Sequence, residues 1–380
     1  MPNPFSIGIV TGSDFCNRKE ERETLLQHIR SMQSVVLSAK RRIGKSSLVT
    51  QVLTEIENED ILPIYASFFK ISSEQDFITT LATAIARSIG KAALDPRPLQ
   101  EKIKSLFGRI IIGLDLEQDK TVLTARLGRE IKFDYLLEDV MQGLFGYIEK
   151  NNMRACIVLD EFQEIAELPN SKNIEGTLRE YMQFRKDVCY LFVGSKRRLL
   201  LDMFTDKRRP FYKSAYIYST REIAKEDFVP YIVGQFSASG KICSTETAGL
   251  IYDTVEGYTY YVQKLASLSW NITNTECDST IVKKAYASLI EMEEMSDFVS
   301  IWNGLPIGQR SALKAIAKSP ALSIYAKEFL LLHNLSASSA QKSALALQKK
   351  DLIEEITKNI YKVTDPVFSA WLRDSERAFA

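Results

Sequence analysis

Histidine is nearly missing from this chain: His28 and His333 are the only two in 380 residues, too few to build a histidine-based metal site. Cysteine is sparse and scattered, and Cys16, Cys156, Cys189, Cys243 and Cys277 show no CxxC spacing. An odd, dispersed set fits reduced thiols in the cytosol better than disulfides or zinc ligation. No apolar run reaches the ~20 residues of a membrane helix. The N-terminal MPNPFSIGIVTGSDF lacks the basic-then-apolar layout of a secretion signal, so a cytoplasmic location without a membrane partner is the default expectation. An excess of one charge is missing too. The 49 basic and 48 acidic residues leave +1, which gives no global field to recruit nucleic acid and leaves only a local basic patch for that role. Low-complexity tracts and internal repeats are also absent.

What is present is an ordinary globular composition, 45% hydrophobic and 26% charged, with length for two or three domains. The first half alternates short β-branched apolar runs with amphipathic stretches. Strands are expected at Ser34–Ser38, Leu62–Phe69, Ala155–Asp160, Tyr190–Gly194 and Ala215–Tyr218. Helices are expected at Lys19–Met32, Ser46–Glu57, Gln75–Gly90 and Phe133–Asn151. Continuous rather than alternating apolarity indicates strands buried on both faces, hence an α/β fold with a parallel sheet and helices on each side. Ile111 to Gly128 breaks this rhythm and reads as a hairpin inserted before the third core strand. After Ser219 the strands stop. Helices at Glu222–Ser237, Ser244–Thr254, Tyr260–Asn271 and Ser279–Met292 predict a small helical domain. From Asp297, three helices (Gly308–Lys318, Ala326–His333, Ser338–Lys349) precede a hairpin about Lys358-Asn359, the layout of a winged helix-turn-helix. The expected domains are therefore 1–219, 220–296 and 297–380.

The strongest local signal is the run from Leu37 to Leu48, Leu-Ser-Ala-Lys-Arg-Arg-Ile-Gly-Lys-Ser-Ser-Leu, lying between a strand and a helix. It reads as a P-loop. The residues Lys40, Arg41, Arg42, Ile43, Gly44, Lys45, Ser46 and Ser47 would cradle ATP phosphates with backbone N–H groups. Lys45 would neutralise phosphate charge, and the Ser46 hydroxyl would ligate Mg²⁺. Ala39 stands where GxxxxGK[ST] has its first glycine, so the loop must open without that residue's freedom at positive φ. Far downstream, four apolar residues end in Asp160-Glu161, a Walker B strand. Asp160 would hold the magnesium water shell, since Mg²⁺ keeps several waters and few protein ligands. Glu161 would orient or deprotonate the attacking water. The next strand delivers Gly194-Ser195, where Ser195 is read either as a contact to γ-phosphate or water, or as a helix N-cap. The basic run Lys207-Arg208-Arg209-Pro210 is either an arginine finger for a neighbouring subunit or a solvated loop.

Together these motifs resemble the prokaryotic AAA+-like ATPases of the archaeal ATPase family, related to the STAND P-loop NTPases, and the resemblance spans nearly the whole chain. Phe15 to Glu21 is similar to an N-terminal Phe-x-Gly-Arg-x-x-Glu box, with Asn17 in place of glycine, and it implies Arg18 as a nucleotide-site residue. Arg41 and Arg42 match the family's loop, with Lys40 in place of proline. Asp160-Glu161-Phe162-Gln163 matches its Walker B, and Gly194-Ser195 its sensor strand. Glu256 to Gln263 resembles the start of its helical lid, with Thr259 in place of proline, and Asp365 to Arg373 resembles the segment closing its winged helix. The resemblance implies a P-loop domain, a helical lid and a winged helix.

Three functions remain open. The leading one is an ATP-hydrolysing molecular switch that couples nucleotide state to movement of lid and winged helix, with a protein partner. The second is a DNA-directed ATPase, whose third winged-helix helix would offer Ser338, Ser339, Gln341, Lys342 and Lys349 to a groove; the weak basicity of that helix and the acidic Glu354-Glu355 of the wing count against it. The third is a nucleotide-binding module with little turnover, against which the intact Glu161 argues.

Overall fold

The computed structural model describes residues 2–12, 15–91, 110–117, 120–127 and 132–374. The chain divides into two compact units. One comprises Arg18–Arg41 and Leu48–Arg221, and the other comprises Met1–Asn17, Arg42–Ser47 and Glu222–Ala380.

The first unit is built on a parallel sheet. Its strands are β1 (Val35–Ser38), β2 (Ile61–Ser67), β5 (Arg154–Asp160), β6 (Val188–Gly194) and β7 (Tyr216–Ser219), in spatial order β2-β5-β6-β1-β7. β1, β5 and β6 are buried almost throughout, as continuous apolarity requires of strands covered by helices on both faces. β2 alternates near its end, with Tyr65 and Ser67 on the less buried side, and the edge strand β7 leaves Tyr216 and Ile217 exposed. Helices Glu74–Lys91 and Phe133–Lys150 bury apolar faces in the core with Phe68, Phe77, Phe162, Phe192, Phe204 and Phe211. The hairpin expected between Ile111 and Gly128 is present as β3 (Ile110–Glu117) and β4 (Lys120–Leu127), antiparallel in full register. Its turn and Gly128 lie outside the described residues. The helix Ser171–Phe184 was not expected.

In the second unit, the four expected lid helices are Lys225–Ala238, Thr245–Thr254, Thr259–Ile272 and Ser279–Glu293. The expectation of no strand there is corrected: Ile242–Cys243 (β8) and Glu276–Cys277 (β9) form a two-residue parallel pair, too short to show in apolar periodicity. A π-helical turn, Glu294–Phe298, continues helix Ser279–Glu293 into Val299–Asn303. Helices Ile307–Lys318, Lys327–Leu332 and Ala337–Lys349 then precede the hairpin β10 (Ile353–Thr357) and β11 (Ile360–Val363), turning at Asn359 with φ 64°. Helix Pro366–Arg373 closes this winged-helix arrangement, its start capped by Asp365 Oδ1, which accepts from Val367 and Phe368 N–H at 3.0 Å each. No described helix is long and apolar enough to cross a membrane.

Candidate active site

In a parallel sheet all strands end at one edge, and the chemistry collects there. β5 ends in Asp160, while Ser38 of β1 sits in register with Gly194 of β6. β1 therefore ends at the same edge of the sheet as the acidic pair, and Gly44-Lys45-Ser46 follow β1 in the chain.

Directly after Asp160 the chain turns sharply. Glu161 adopts φ 51°, a left-handed conformation that costs a non-glycine residue ~1–2 kcal/mol, and a 3₁₀ turn Phe162–Glu167 follows. The turn aims the carboxylate toward the end of β6. Glu161 Oε2 accepts from Ser195 Oγ at 2.8 Å, from Ser195 N at 3.3 Å and from Gln163 Nε2 at 2.6 Å. Gln163 is fully buried, and its Nε2 also donates to Glu164 Oε1 at 3.0 Å. Its amide occupies the space a side chain at position 194 would need: a Cβ on Gly194 would lie 2.0 Å from Gln163 Oε1. Glycine at 194 and glutamine at 163 are thus two halves of one device that fixes Glu161. Asp160 is separately fixed, Oδ1 accepting from the Glu161 amide at 3.0 Å and Oδ2 from the Tyr65 hydroxyl at 2.5 Å.

Ser195 does not cap the following helix, Arg197–Thr205. Lys196 occupies that position without a side-chain cap, and the Ser195 hydroxyl goes to Glu161 instead. Tyr65 was missed in the sequence. Its signal is the period-2 alternation of β2, which puts it on the same face as Ser67, the register partner of Asp160, but that register is not written in the local sequence.

Of the phosphate-loop residues, Arg42–Ser47 group with the second unit, and Lys40 and Arg41 with the first. Positive φ falls on Gly44 (85°) and Arg42 (65°) and not on Ala39, which is buried, so the loop bends without a first glycine. Ile43 and Lys45 are buried, Ser46 is half-buried, and Ser47 Oγ accepts from Val10 N–H at 3.1 Å. Lys40 is half-buried and Arg41 exposed. The Arg42 guanidinium turns to Tyr261, Glu293, Asp297 and Asp365.

Arg18 is buried at the start of helix Lys19–Arg30 and donates to Glu21 Oε1 at 2.9 Å and to the Arg221 carbonyl at 3.0 Å. Asn17 and Arg18 both have positive φ, which accounts for asparagine, the residue that best tolerates that region after glycine, at position 17. Thr259 is the first residue of its helix, the position where proline is favoured because its missing N–H is an orphan anyway; threonine there keeps the helix start. Arg209 is tied to the buried Glu175 within its own unit, and burial pushes that carboxyl up to about 7 against the pull of Arg209. Arg208 is 86% exposed and pairs with Asp206 at 2.8 Å.

Among the described residues no cluster of three or more His, Cys, Asp or Glu is arranged for a metal. The oxygen donors expected for Mg²⁺, a serine hydroxyl and one carboxylate, suit an ion that keeps most of its water and takes the rest of its shell from phosphates.

A family profile described as "Probable winged helix domain" matches residues 296–374. Comparison with curated proteins gives no match. Among solved structures, a Walker-type ATPase of Pyrococcus abyssi superposes with TM-score 0.72 at 18% identity, covering 97% of this chain and 99% of that one. The Aeropyrum pernix ORC2 protein, solved with ADPNP and ADP, gives 0.64 at 13% identity over 99% and 98%. The Aeropyrum pernix ORC1 protein, solved with DNA, gives 0.53 at 10% over 95% and 93%. The chain thus has the P-loop ATPase fold of these archaeal proteins, ending in a winged helix.

Proposed function

We propose that this protein is a Mg²⁺-dependent, AAA+-like ATPase, close to the STAND type, that works as a molecular switch. In this reading 1–219 binds and hydrolyses ATP, 220–296 is the lid and 297–380 the responding winged helix. The observation that carries it is the fixation of Glu161 by Ser195 and Gln163 at the sheet edge where β1, the strand that precedes Gly44-Lys45-Ser46 in the chain, also ends. A carboxylate held by a left-handed turn, a hydroxyl and a buried amide suits the base that orients and deprotonates a water. Backbone N–H groups from Gly44 to Ser47 cradle the phosphates, and Lys45 balances their charge. Ser46 and Asp160 are the donors for Mg²⁺, which when bound supplies Lewis-acid neutralisation of phosphate charge. The kinship of fold with a protein solved in ADPNP and ADP complexes supports the same reading. Lys45→Ala should abolish ATP binding in isothermal titration; wild-type affinity in that variant would refute the loop assignment.

The winged helix carries Leu331, Leu332, Leu345 and Ile356 exposed beside Gln341, Lys342 and Lys349. Apolar residues on the helix and wing favour a protein partner over DNA. Turnover measured with and without duplex DNA tests the alternative, since DNA contacts through phosphates fall steeply with salt.

A further inference from the structure

Arg42 lies three residues before Lys45, yet its contacts run to the lid and the winged helix. Its Nη1 meets Glu293 Oε2 at 3.0 Å and Asp365 Oδ2 at 3.4 Å, its Nη2 meets Asp297 Oδ2 at 2.5 Å, and the Tyr261 hydroxyl joins them. The main chain takes part as well: helix Thr259–Ile272 begins without a side-chain cap, and the Tyr260 N–H donates to the Arg42 carbonyl at 2.9 Å. Around this point Tyr261 donates to Asp365 Oδ2 at 2.6 Å, Lys264 pairs with Glu293 Oε1 at 2.6 Å, and Tyr258 donates to the Thr364 carbonyl at 2.5 Å. Asp297 belongs to the π-helical turn and Glu293 immediately precedes it, and such turns recur at functional sites. The backbone strain of Arg42, φ 65°, persists because these contacts over-determine it. Arginine suits the place because its planar fork serves several carboxylates at once, which a lysine ammonium does not.

Three carboxylates face Arg42 and Lys264 beside a loop read as binding polyphosphate. Phosphates bound at that loop would offer the same guanidinium a second set of anionic acceptors. We propose that Arg42 is a nucleotide-sensitive latch: it ties the phosphate loop to Glu293, Asp297 and Asp365, and the phosphates of a nucleoside triphosphate compete with these carboxylates for its guanidinium, freeing the winged helix. This rests on the ATP-binding reading above. By linkage, the factor by which ATP loosens the latch equals the factor by which a broken latch tightens ATP, commonly ~5–150-fold.

The test uses the full chain, with Mg²⁺ and adenylyl imidodiphosphate as probe, on wild type, Glu293→Gln and Asp297→Asn. Asp297 is 48% exposed, so its substitution spares the fold should Glu293→Gln disturb it. Titration should show about tenfold tighter binding in the variants. Hydrogen exchange of wild type should rise with nucleotide in helix Pro366–Arg373 and at the Tyr260 amide. Wild-type binding with unchanged affinity in both variants, and exchange unaltered by nucleotide, overturns the latch while leaving the ATP reading intact. Absence of binding in wild type overturns both.

Discussion

Replacing Gly194 with alanine tests the device that fixes Glu161. A methyl there would stand 2.0 Å from Gln163 Oε1, 3.1 Å from its Cδ and 3.2 Å from Leu200 Cδ2. Gln163 is fully buried and its Nε2 holds both Glu161 and Glu164, so it cannot retreat without breaking those bonds. Overpacking costs about 1–3 kcal/mol, and losing one hydrogen bond to a charged group about 1.5–3 kcal/mol more. Together they give roughly 2.5–6 kcal/mol, less than the stability of most domains. Urea unfolding followed by far-ultraviolet circular dichroism reads the loss. Turnover should fall by roughly tenfold, short of the ~10²–10⁴-fold for removing a general base, because Ser195 still holds Glu161. Adding Gln163→Ala to Gly194→Ala removes the clash and should recover part of the stability without recovering turnover. A Gly194→Ala protein with the wild-type urea midpoint would refute the interlock.

The buried Glu175 gives a pH signature. Burial raises its folded pKa to about 7 from the ordinary 4.5, so the folded state holds its proton more tightly and stability falls as pH rises between those values; Glu175→Gln should flatten that slope in urea midpoints measured from pH 5 to 8. Arg209→Ala should destabilise by about 3 kcal/mol or more by leaving Glu175 unpaired, whereas Arg208→Ala should not, and equal thermal midpoints for the two would contradict their different placement. A protein acting as a monomeric switch keeps constant specific activity on dilution, and Lys45→Ala mixed with Arg208→Ala/Arg209→Ala should not regain turnover; complementation would show a finger acting in trans.

Legibility in the sequence followed the range of the interactions. The strands β1, β5 and β6 announced themselves because burial on both faces demands continuous apolar residues, and the acid pair because it ends such a run. Asn17 and Thr259, odd against the resembled family, make sense once a left-handed residue and a helix start are seen at those positions. The helix Ser171–Phe184 escaped because its buried positions are few and mixed, Ile174 and Leu178 beside Ser171 and Glu175. β8 and β9 escaped because two residues carry no period. Tyr65 on Asp160, Glu175 on Arg209 and the carboxylates on Arg42 are contacts between distant segments, set by strand register and helix packing that no local pattern encodes.

The central claim is that Glu161 serves hydrolysis in a protein that binds ATP through Lys45. The direct measurement is phosphate release from ATP by wild type and Glu161→Gln, paired with titration of adenylyl imidodiphosphate into both. The account predicts nucleotide affinity within a few-fold of wild type and turnover lowered ~10²–10⁴-fold, since the amide keeps the shape and removes the base. Undiminished phosphate release by Glu161→Gln would contradict it.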